Sequence, residues 1–73
     1  MLIGVRLFGF LAEFAPTDSR VELPEGSRVE DALRKLGVPE AELVLVLDGK
    51  PASPDTALFD GSVLQIFPLV AGG

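Results

Sequence analysis

The sequence predicts a small α+β domain in which one helix covers one face of a β-sheet. Three observations carry this prediction: alternating apolar strands near both ends of the chain, an amphipathic helical segment over residues 27–37, and an apolar run at Leu43–Leu47. The segments follow in the order strand, strand, helix, strand, short strand, strand. Because a single helix cannot cover both faces of a sheet, the domain has two layers.

The first two strands form a predicted hairpin. Residues 2–8 alternate, with Ile3, Val5 and Leu7 on one face. Residues 16–19 are typical of a turn, and residues 20–23 alternate again before a Pro and a Gly end the pattern. The second strand therefore pairs with the first.

The helix has predicted signals at both ends. Ser27 and Glu30 have the spacing of a capping box, in which each side chain bonds the other residue's backbone N–H. Gly37 provides the stop, and Pro39 prevents the helix from resuming. Between them the apolar residues recur at helical spacing: Val29, Ala32, Leu33 and Leu36.

The second half of the chain is predicted to be mostly strand. Leu43–Leu47 is too short for a helix and is followed by an Asp-Gly turn, so it is a buried strand. Residues 50–60 hold two prolines and form a loop with one short edge strand at most, in which Leu58 and Phe59 contact the core. Residues 62–67 form the last strand. The predicted core is Ile3, Val5, Leu7, Val29, Leu33, Leu36, Leu45, Leu64 and Ile66.

Composition excludes several kinds of active site. The chain has no Cys and no His, which removes disulfides, thiol nucleophiles and every triad that uses those residues. The carboxylates show no metal-loop spacing, so we expect no metal site. With 73 residues there is little room for an enclosed substrate cavity. A carrier, binding module or subunit is favoured over an enzyme that acts alone.

The net charge of −5 comes from eleven acids against six bases. Nucleic acid binding needs clustered Lys and Arg, so we expect no nucleic acid partner. No apolar run approaches the ~20 residues of a membrane span, and the start of the chain lacks the features of a signal peptide. We therefore expect no membrane partner and a cytoplasmic location.

The chain ends in Pro68, Leu69, Val70, Ala71, Gly72 and Gly73. Pro68 has no backbone donor and is expected to end strand pairing, while two terminal glycines cannot hold a fixed conformation alone. The predicted organisation is a domain over residues 1–67 and a flexible tail over residues 68–73.

Three segments carry a resemblance to a known family: Val5-Arg6-Leu7-Phe8, Leu58-Phe59-Asp60-Gly61, and residues 66–73 with their Phe-Pro and terminal Gly-Gly. Together they resemble the MoaD/ThiS family of β-grasp, ubiquitin-like sulfur carriers. The ending is most similar to the small subunit of molybdopterin synthase, although Leu69 stands where those subunits usually have a second Pro. The resemblance implies a mixed sheet whose first and last strands are parallel neighbours.

The resemblance also implies a reaction at Gly73. In the family, a ubiquitin-activating-like adenylyltransferase consumes ATP to adenylate the C-terminal carboxylate, and a sulfur donor converts the adenylate to a thiocarboxylate. The chain would then serve the large subunit of molybdopterin synthase in molybdenum cofactor biosynthesis, binding no cofactor and catalysing nothing alone. Five tail residues would thread the channels of these partners: Pro68, Leu69, Val70, Ala71 and Gly72.

The sheet face away from the helix is the predicted docking face. It comprises Phe8, Val46 and Phe67, which project outward beside Arg6 and Gln65. An exposed apolar cluster of this kind usually marks an interface. The alternative is that the loop carrying Leu58 and Phe59 folds over these residues.

Other functions stay open on the sequence alone. The chain could carry sulfur for thiamine, cysteine or tRNA thiolation. It could be a ubiquitin-like modifier whose Gly73 forms isopeptide bonds with lysines. It could also be a β-grasp interaction domain with an inert tail.

Overall fold

The computed structural model describes residues 1–14, 18–39 and 42–69. Val70, Ala71, Gly72 and Gly73 lie outside the described residues, so the predictions made for them stay predictions. The elements in chain order are β1 (Leu2–Leu7), a 3₁₀ helix (Gly9–Glu13), β2 (Asp18–Glu22), α1 (Val29–Leu36), β3 (Leu43–Leu47), β4 (Lys50–Ala52) and β5 (Val63–Pro68).

The five strands form one mixed sheet in the order β2-β1-β5-β3-β4. The first and last strands are parallel neighbours, with Val5 opposite Leu64 and Leu7 opposite Ile66. The other three pairs are antiparallel. The predicted mixed sheet is confirmed, including the short edge strand β4, but β2 begins at Asp18, so the predicted turn over residues 16–19 is wrong at Asp18 and Ser19.

The core lies between the sheet and α1. Leu33 of the helix and Ile66 of β5 are both fully buried, and eight of the nine predicted core residues belong to the buried cluster. Leu36 is the exception, because it packs against the cluster from its rim and stays partly exposed. The apolar residues buried in addition to the predicted set are Leu11, Val21, Leu23, Ala32, Val38, Leu47 and Leu58.

The capping box lies one residue later than predicted. The backbone N–H of Arg28, not Ser27, donates to a carboxylate three residues on, at 2.8 Å from Asp31 Oδ2. Ser27 is buried and its hydroxyl donates to the carbonyl of Pro24 at 2.7 Å, while the N–H of Glu30 donates to Pro54 O and not to Ser27. The predicted Ser27–Glu30 box is therefore wrong.

A loop from the second half of the chain sets the start of α1. The N–H groups of Val29 and Glu30 donate to the carbonyls of Thr56 and Pro54 at 3.0 and 2.8 Å. These are two of the donors that a helix N-terminus leaves without an intrahelical partner. Because the bonds come from residues distant in sequence, local spacing could not reveal the register.

The predicted helix end is confirmed. Gly37 takes the left-handed conformation, with φ +77°, and its N–H donates to the carbonyl of Arg34 at 3.2 Å. The N–H of Val38 donates to Leu33 O at 3.0 Å, which satisfies a further carbonyl of the last turn. Within the described ranges, no helix is long and apolar enough to cross a membrane.

The connection between β1 and β2 contains a 3₁₀ helix that the sequence did not predict. A single buried residue, Leu11, ties it to the core at 1% exposure. Such short helices have too few residues to display an apolar period. Phe10 and Phe14 stay exposed at its surface.

The loop after β4 only partly follows its prediction. Leu58 is buried at 3% exposure and its N–H donates to Ser27 O at 3.0 Å. Phe59 is 70% exposed, so the prediction that it contacts the core is wrong. The N–H of Phe59 bonds Ser62 Oγ at 3.2 Å within a tight turn, and the ring is left in solvent.

Candidate docking face and tail exit

The five residues of the predicted docking face lie together on the sheet face away from α1. Arg6 and Val46 both stand opposite Gln65, one from each neighbouring strand. Phe8 and Phe67 occupy the next position toward the end of β5. The buried residues of these strands point toward α1, because successive side chains alternate between the two faces of a sheet.

Phe8 and Phe67 form a stacked aromatic pair. Their ring centroids are 4.3 Å apart and the ring planes differ by 11°. The N–H of Phe8 donates to Ile66 O at 3.1 Å, which holds the end of β1 against β5. Both residues are half-buried, so the pair presents an ordered apolar surface before any partner arrives.

Two further apolar residues adjoin the docking face. Val44 stands opposite Phe67 in the register of β3 and β5 and is 42% exposed. Leu69 continues the outward alternation of Gln65 and Phe67 and is 55% exposed. From the sequence, Val44 was predicted only as part of a buried strand. Its two-residue spacing from Val46 was the signal that it shares the outward face.

The loop with Leu58 and Phe59 does not cover the docking face. Leu58 is in the core cluster on the helix side of the sheet, and Phe59 is exposed. The alternative considered from the sequence is therefore wrong. Phe8, Val46 and Phe67 keep part of their surface accessible.

Charged residues flank the docking face. Arg6 Nε and Asp18 Oδ1 form an ion pair at 3.0 Å, with 53% and 75% of their side chains exposed. Pairs this exposed contribute at most about 1 kcal/mol, so the pair orients Arg6 more than it stabilises the fold. An open depression of about 550 Å³ lies beside it and is lined in part by Arg20.

The chain leaves the sheet one residue later than predicted. Pro68 is the last residue of β5 and stands opposite Leu43, and the N–H of Leu69 donates to Glu42 O at 2.8 Å. The prediction that Pro68 ends the pairing is wrong. Its nitrogen faces the side of β1, which ends at Leu7, so the missing donor interrupts no ladder bond.

Among the described residues, the sheet face away from α1 exposes apolar side chains. Among them, no three His, Cys, Asp or Glu side chains come together in a group that could hold a metal ion. A hydrogen bond from Ser53 lowers the pKa of Asp55, but this carboxylate lies in the exposed loop after β4. The docking face therefore lies next to Pro68 and Leu69, where the chain leaves the sheet.

Comparison with known proteins agrees with this architecture. The ThiS family model matches residues 5–73. The chain is similar to SAMP1 from Haloferax volcanii, with 27% identity, a TM-score of 0.82 and coverage of 100% of both chains. A putative molybdopterin converting factor subunit 1 from Pyrococcus furiosus has 27% identity and a TM-score of 0.81, over 96% of this chain and 99% of that one.

A more distant match shows the fold alone. It is a chain from the complex of subunits 1 and 2 of the molybdopterin-converting factor from Helicobacter pylori, with 21% identity, a TM-score of 0.67 and coverage of 100% of both chains. Across these matches the mixed five-stranded sheet with one helix is the β-grasp, ubiquitin-like fold.

Proposed function

This chain belongs to the ThiS family, and we propose that it is a sulfur carrier whose reacting group is the carboxylate of Gly73. The observation that supports the proposal most strongly is the extent of the family match, which continues through the terminal Gly72 and Gly73. The structure adds an apolar docking face beside the tail exit. A carrier needs both features, because its partners must hold the domain while they act on the terminus.

The proposed chemistry uses only the main chain of the carrier. A C-terminal carboxylate has a reference pKa of ~3.5 and is ionised at neutral pH. It attacks the α-phosphate of ATP in a ubiquitin-activating-like adenylyltransferase, and pyrophosphate leaves. Sulfide from a sulfur donor then attacks the acyl carbon, AMP leaves, and a thiocarboxylate remains. The partner supplies the catalysis and this chain supplies the group that reacts.

The residue types of the tail suit this role. Glycine has no Cβ, so a partner's main chain can close around Gly72 and Gly73 without a clash. The four residues after Leu69 reach at most about 13 Å when extended, at ~3.3 Å each. This length suffices for a carboxylate to enter a recessed site while the docking face stays on the partner's surface.

The docking face supplies the proposed contact with partners. Phe67 and the exposed Leu69 lie a few residues before Gly73, so a partner that binds these side chains lies close to the start of the terminal segment. Aromatic residues at the centre of an interface commonly dominate its affinity. The acidity of the chain favours basic partner surfaces and raises the association rate more than the affinity.

We further propose that the sulfur acceptor is the large subunit of molybdopterin synthase. Two features support it: the Phe67-Pro68 ending and the 27% identity to the Pyrococcus furiosus putative molybdopterin converting factor subunit 1. The Helicobacter pylori structure is a complex of subunits 1 and 2 of such a factor, so the matching fold is compatible with a two-subunit assembly.

A second candidate function is protein modification. It is favoured by the similarity to SAMP1 of Haloferax volcanii, a small archaeal modifier protein, at 27% identity over both whole chains. In that function the adenylated Gly73 would be passed to lysine side chains as an isopeptide bond. Adenylation is common to both candidates, and they differ in the group that receives the terminus.

One experiment separates the two functions. The thiocarboxylated chain is mixed with the large subunit and the molybdopterin precursor, and the chain is separately incubated with ATP, the adenylyltransferase and cellular proteins. Return of the chain to its carboxylate form together with dithiolene formation supports the sulfur carrier of molybdopterin synthase. Isopeptide-linked conjugates that need Gly73 support the modifier. Absence of both reactions contradicts both candidate functions.

A further inference from the structure

The ring of Pro68 leaves too little room for a Cβ at Gly9. Gly9 begins the 3₁₀ helix with φ +60°, and a Cβ built on it would lie 3.0 Å from Pro68 Cγ and 3.5 Å from Pro68 Cδ. The shorter distance is below the 3.4–4 Å of ordinary van der Waals contact. A side chain at position 9 would therefore require the proline ring to shift by a few tenths of an ångström, in addition to the strain that φ +60° imposes on a residue other than glycine.

Pro68 and Leu69 are also held from the side of β3. Pro68 stands opposite Leu43 of β3, and Leu69 donates its N–H to Glu42 O at 2.8 Å. The last described residues thus lie between the start of β3 and the start of the 3₁₀ helix. Because Leu69 follows Pro68 directly, a shift of the Pro68 ring acts on the residue next to the bond between Leu69 and Glu42.

We propose that Gly9 is a positioning residue that fixes where and in which direction the tail leaves the domain. The inference rests on the proposed function, because it concerns the delivery of Gly73 to a partner's active site. Two consecutive contacts link the docking face to the tail: Phe8 stacks on Phe67, and Gly9 packs on Pro68. A partner that binds the docking face therefore meets Pro68 and Leu69, the last described residues, at a set position. Displacement of a reacting group by about 1 Å can lower a rate 100-fold.

The other glycines with positive φ provide a matched control. Gly26, at φ +84°, would have nothing within 4 Å of an added Cβ. It follows β2 at the opposite end of the sheet, where Leu23 bonds Met1. A Gly26→Ala variant introduces the left-handed strain of a non-glycine residue without a steric contact. A Gly9→Asn variant introduces the steric contact with less backbone strain, because Asn tolerates this conformation better than Ala but still has a Cβ.

The first test measures the structural claim without any partner. Amide hydrogen exchange of Leu69, followed by NMR, reports the bond to Glu42. We expect about tenfold faster exchange in both Gly9→Ala and Gly9→Asn, and an unchanged rate in Gly26→Ala. Equal Leu69 exchange in the Gly9 variants and the wild-type chain would overturn the inference.

The second test measures delivery of the terminus. Thiocarboxylate formation is followed with ATP, the adenylyltransferase and sulfide. We expect Gly9→Ala to lower kcat about tenfold with KM within twofold of wild type, because the docking face is intact and the carboxylate is misplaced. Gly26→Ala should alter neither constant by more than about twofold.

A rescue variant separates the contact from a general loss of stability. Pro68→Ala removes the ring atoms that a Cβ at position 9 would meet. The double variant Gly9→Ala/Pro68→Ala should therefore react as fast as Pro68→Ala alone. A defect that persists unchanged in the double variant contradicts the inference. If the wild-type chain forms no thiocarboxylate, the proposed function fails, and with it the role of Gly9 in delivery, while Leu69 exchange still decides whether Gly9 positions Pro68.

Discussion

The rings of Phe8 and Phe67 stack at a centroid distance of 4.3 Å, and this pair joins the ends of the two parallel strands at the tail exit. The contact places an aromatic surface at the base of the tail. Because both residues are only half-buried, the outer ring surfaces can still be covered by a partner. The docking face and the tail exit are therefore one continuous region of the molecule.

Substitution of Phe67 tests the docking face. We expect Phe67→Asp to weaken binding to the adenylyltransferase about thirtyfold, the equivalent of about 2 kcal/mol, because it places a charge in an apolar contact. Phe59→Asp is the matched control, since Phe59 is 70% exposed and lies in a turn away from the docking face. Titration calorimetry measures both variants, with circular dichroism to verify folding. Equal affinities for the two variants would contradict the assignment.

Truncation of Leu33 tests the core. Leu33 is fully buried against the sheet, so Leu33→Ala should lower the free energy of unfolding by about 2–5 kcal/mol. Leu36→Ala in the same helix should lower it less, because Leu36 lies at the rim of the cluster. Urea unfolding measures both. A change below about 0.5 kcal/mol for Leu33→Ala would show that the burial is wrong.

The register of the helix cap gives a further prediction. Asp31 accepts the N–H of Arg28, so Asp31→Ala should destabilise the domain by about 1 kcal/mol. Glu30→Ala should have less than half of that effect, because Glu30 is not the box partner. Urea unfolding of the two variants tests the register. A larger destabilisation by Glu30→Ala than by Asp31→Ala would support the box between Ser27 and Glu30 instead.

Much of the fold could be predicted because its signals are periodic and local. The alternation of Ile3, Val5 and Leu7 gives the buried face of β1, and Gly37 marks the end of α1 without reference to the rest of the chain. The start of α1 could not be placed to the residue. Its first donors bond Pro54 and Thr56, and no local pattern contains that information.

The residues of the candidate site could likewise be predicted only where the signal was local. The alternation of side chains along the strands predicted the outward direction of Phe8, Val46 and Phe67. The contact of Gly9 with Pro68 was missed, because it depends on the 3₁₀ helix after β1 and on the extension of β5 through Pro68. Both depend on tertiary contacts between segments that are distant in sequence.

Two substitutions in the terminal glycines test the fit of the tail in a partner's channel. We expect Gly72→Val to reduce thiocarboxylate formation more than 100-fold, because a branched Cβ clashes where the partner's main chain closes around the tail. Gly73→Ala should be milder, about tenfold, since it adds a single methyl group beside the reacting carboxylate. Rates measured by intact-mass spectrometry decide the order. Equal rates for Gly72→Val and wild type would mean that the channel does not enclose this residue.

The mass of the intact chain tests the central claim most directly. After incubation with ATP, the adenylyltransferase and sulfide, the chain should gain about 16 Da, because sulfur replaces one oxygen of the free C-terminal carboxylate. The chain that lacks Gly72 and Gly73 should show no gain and should unfold at the same urea concentration as the full chain. If the full chain gains no mass while the shortened chain still supports the sulfur-requiring pathway, Gly73 is not the reacting group and the carrier function is contradicted.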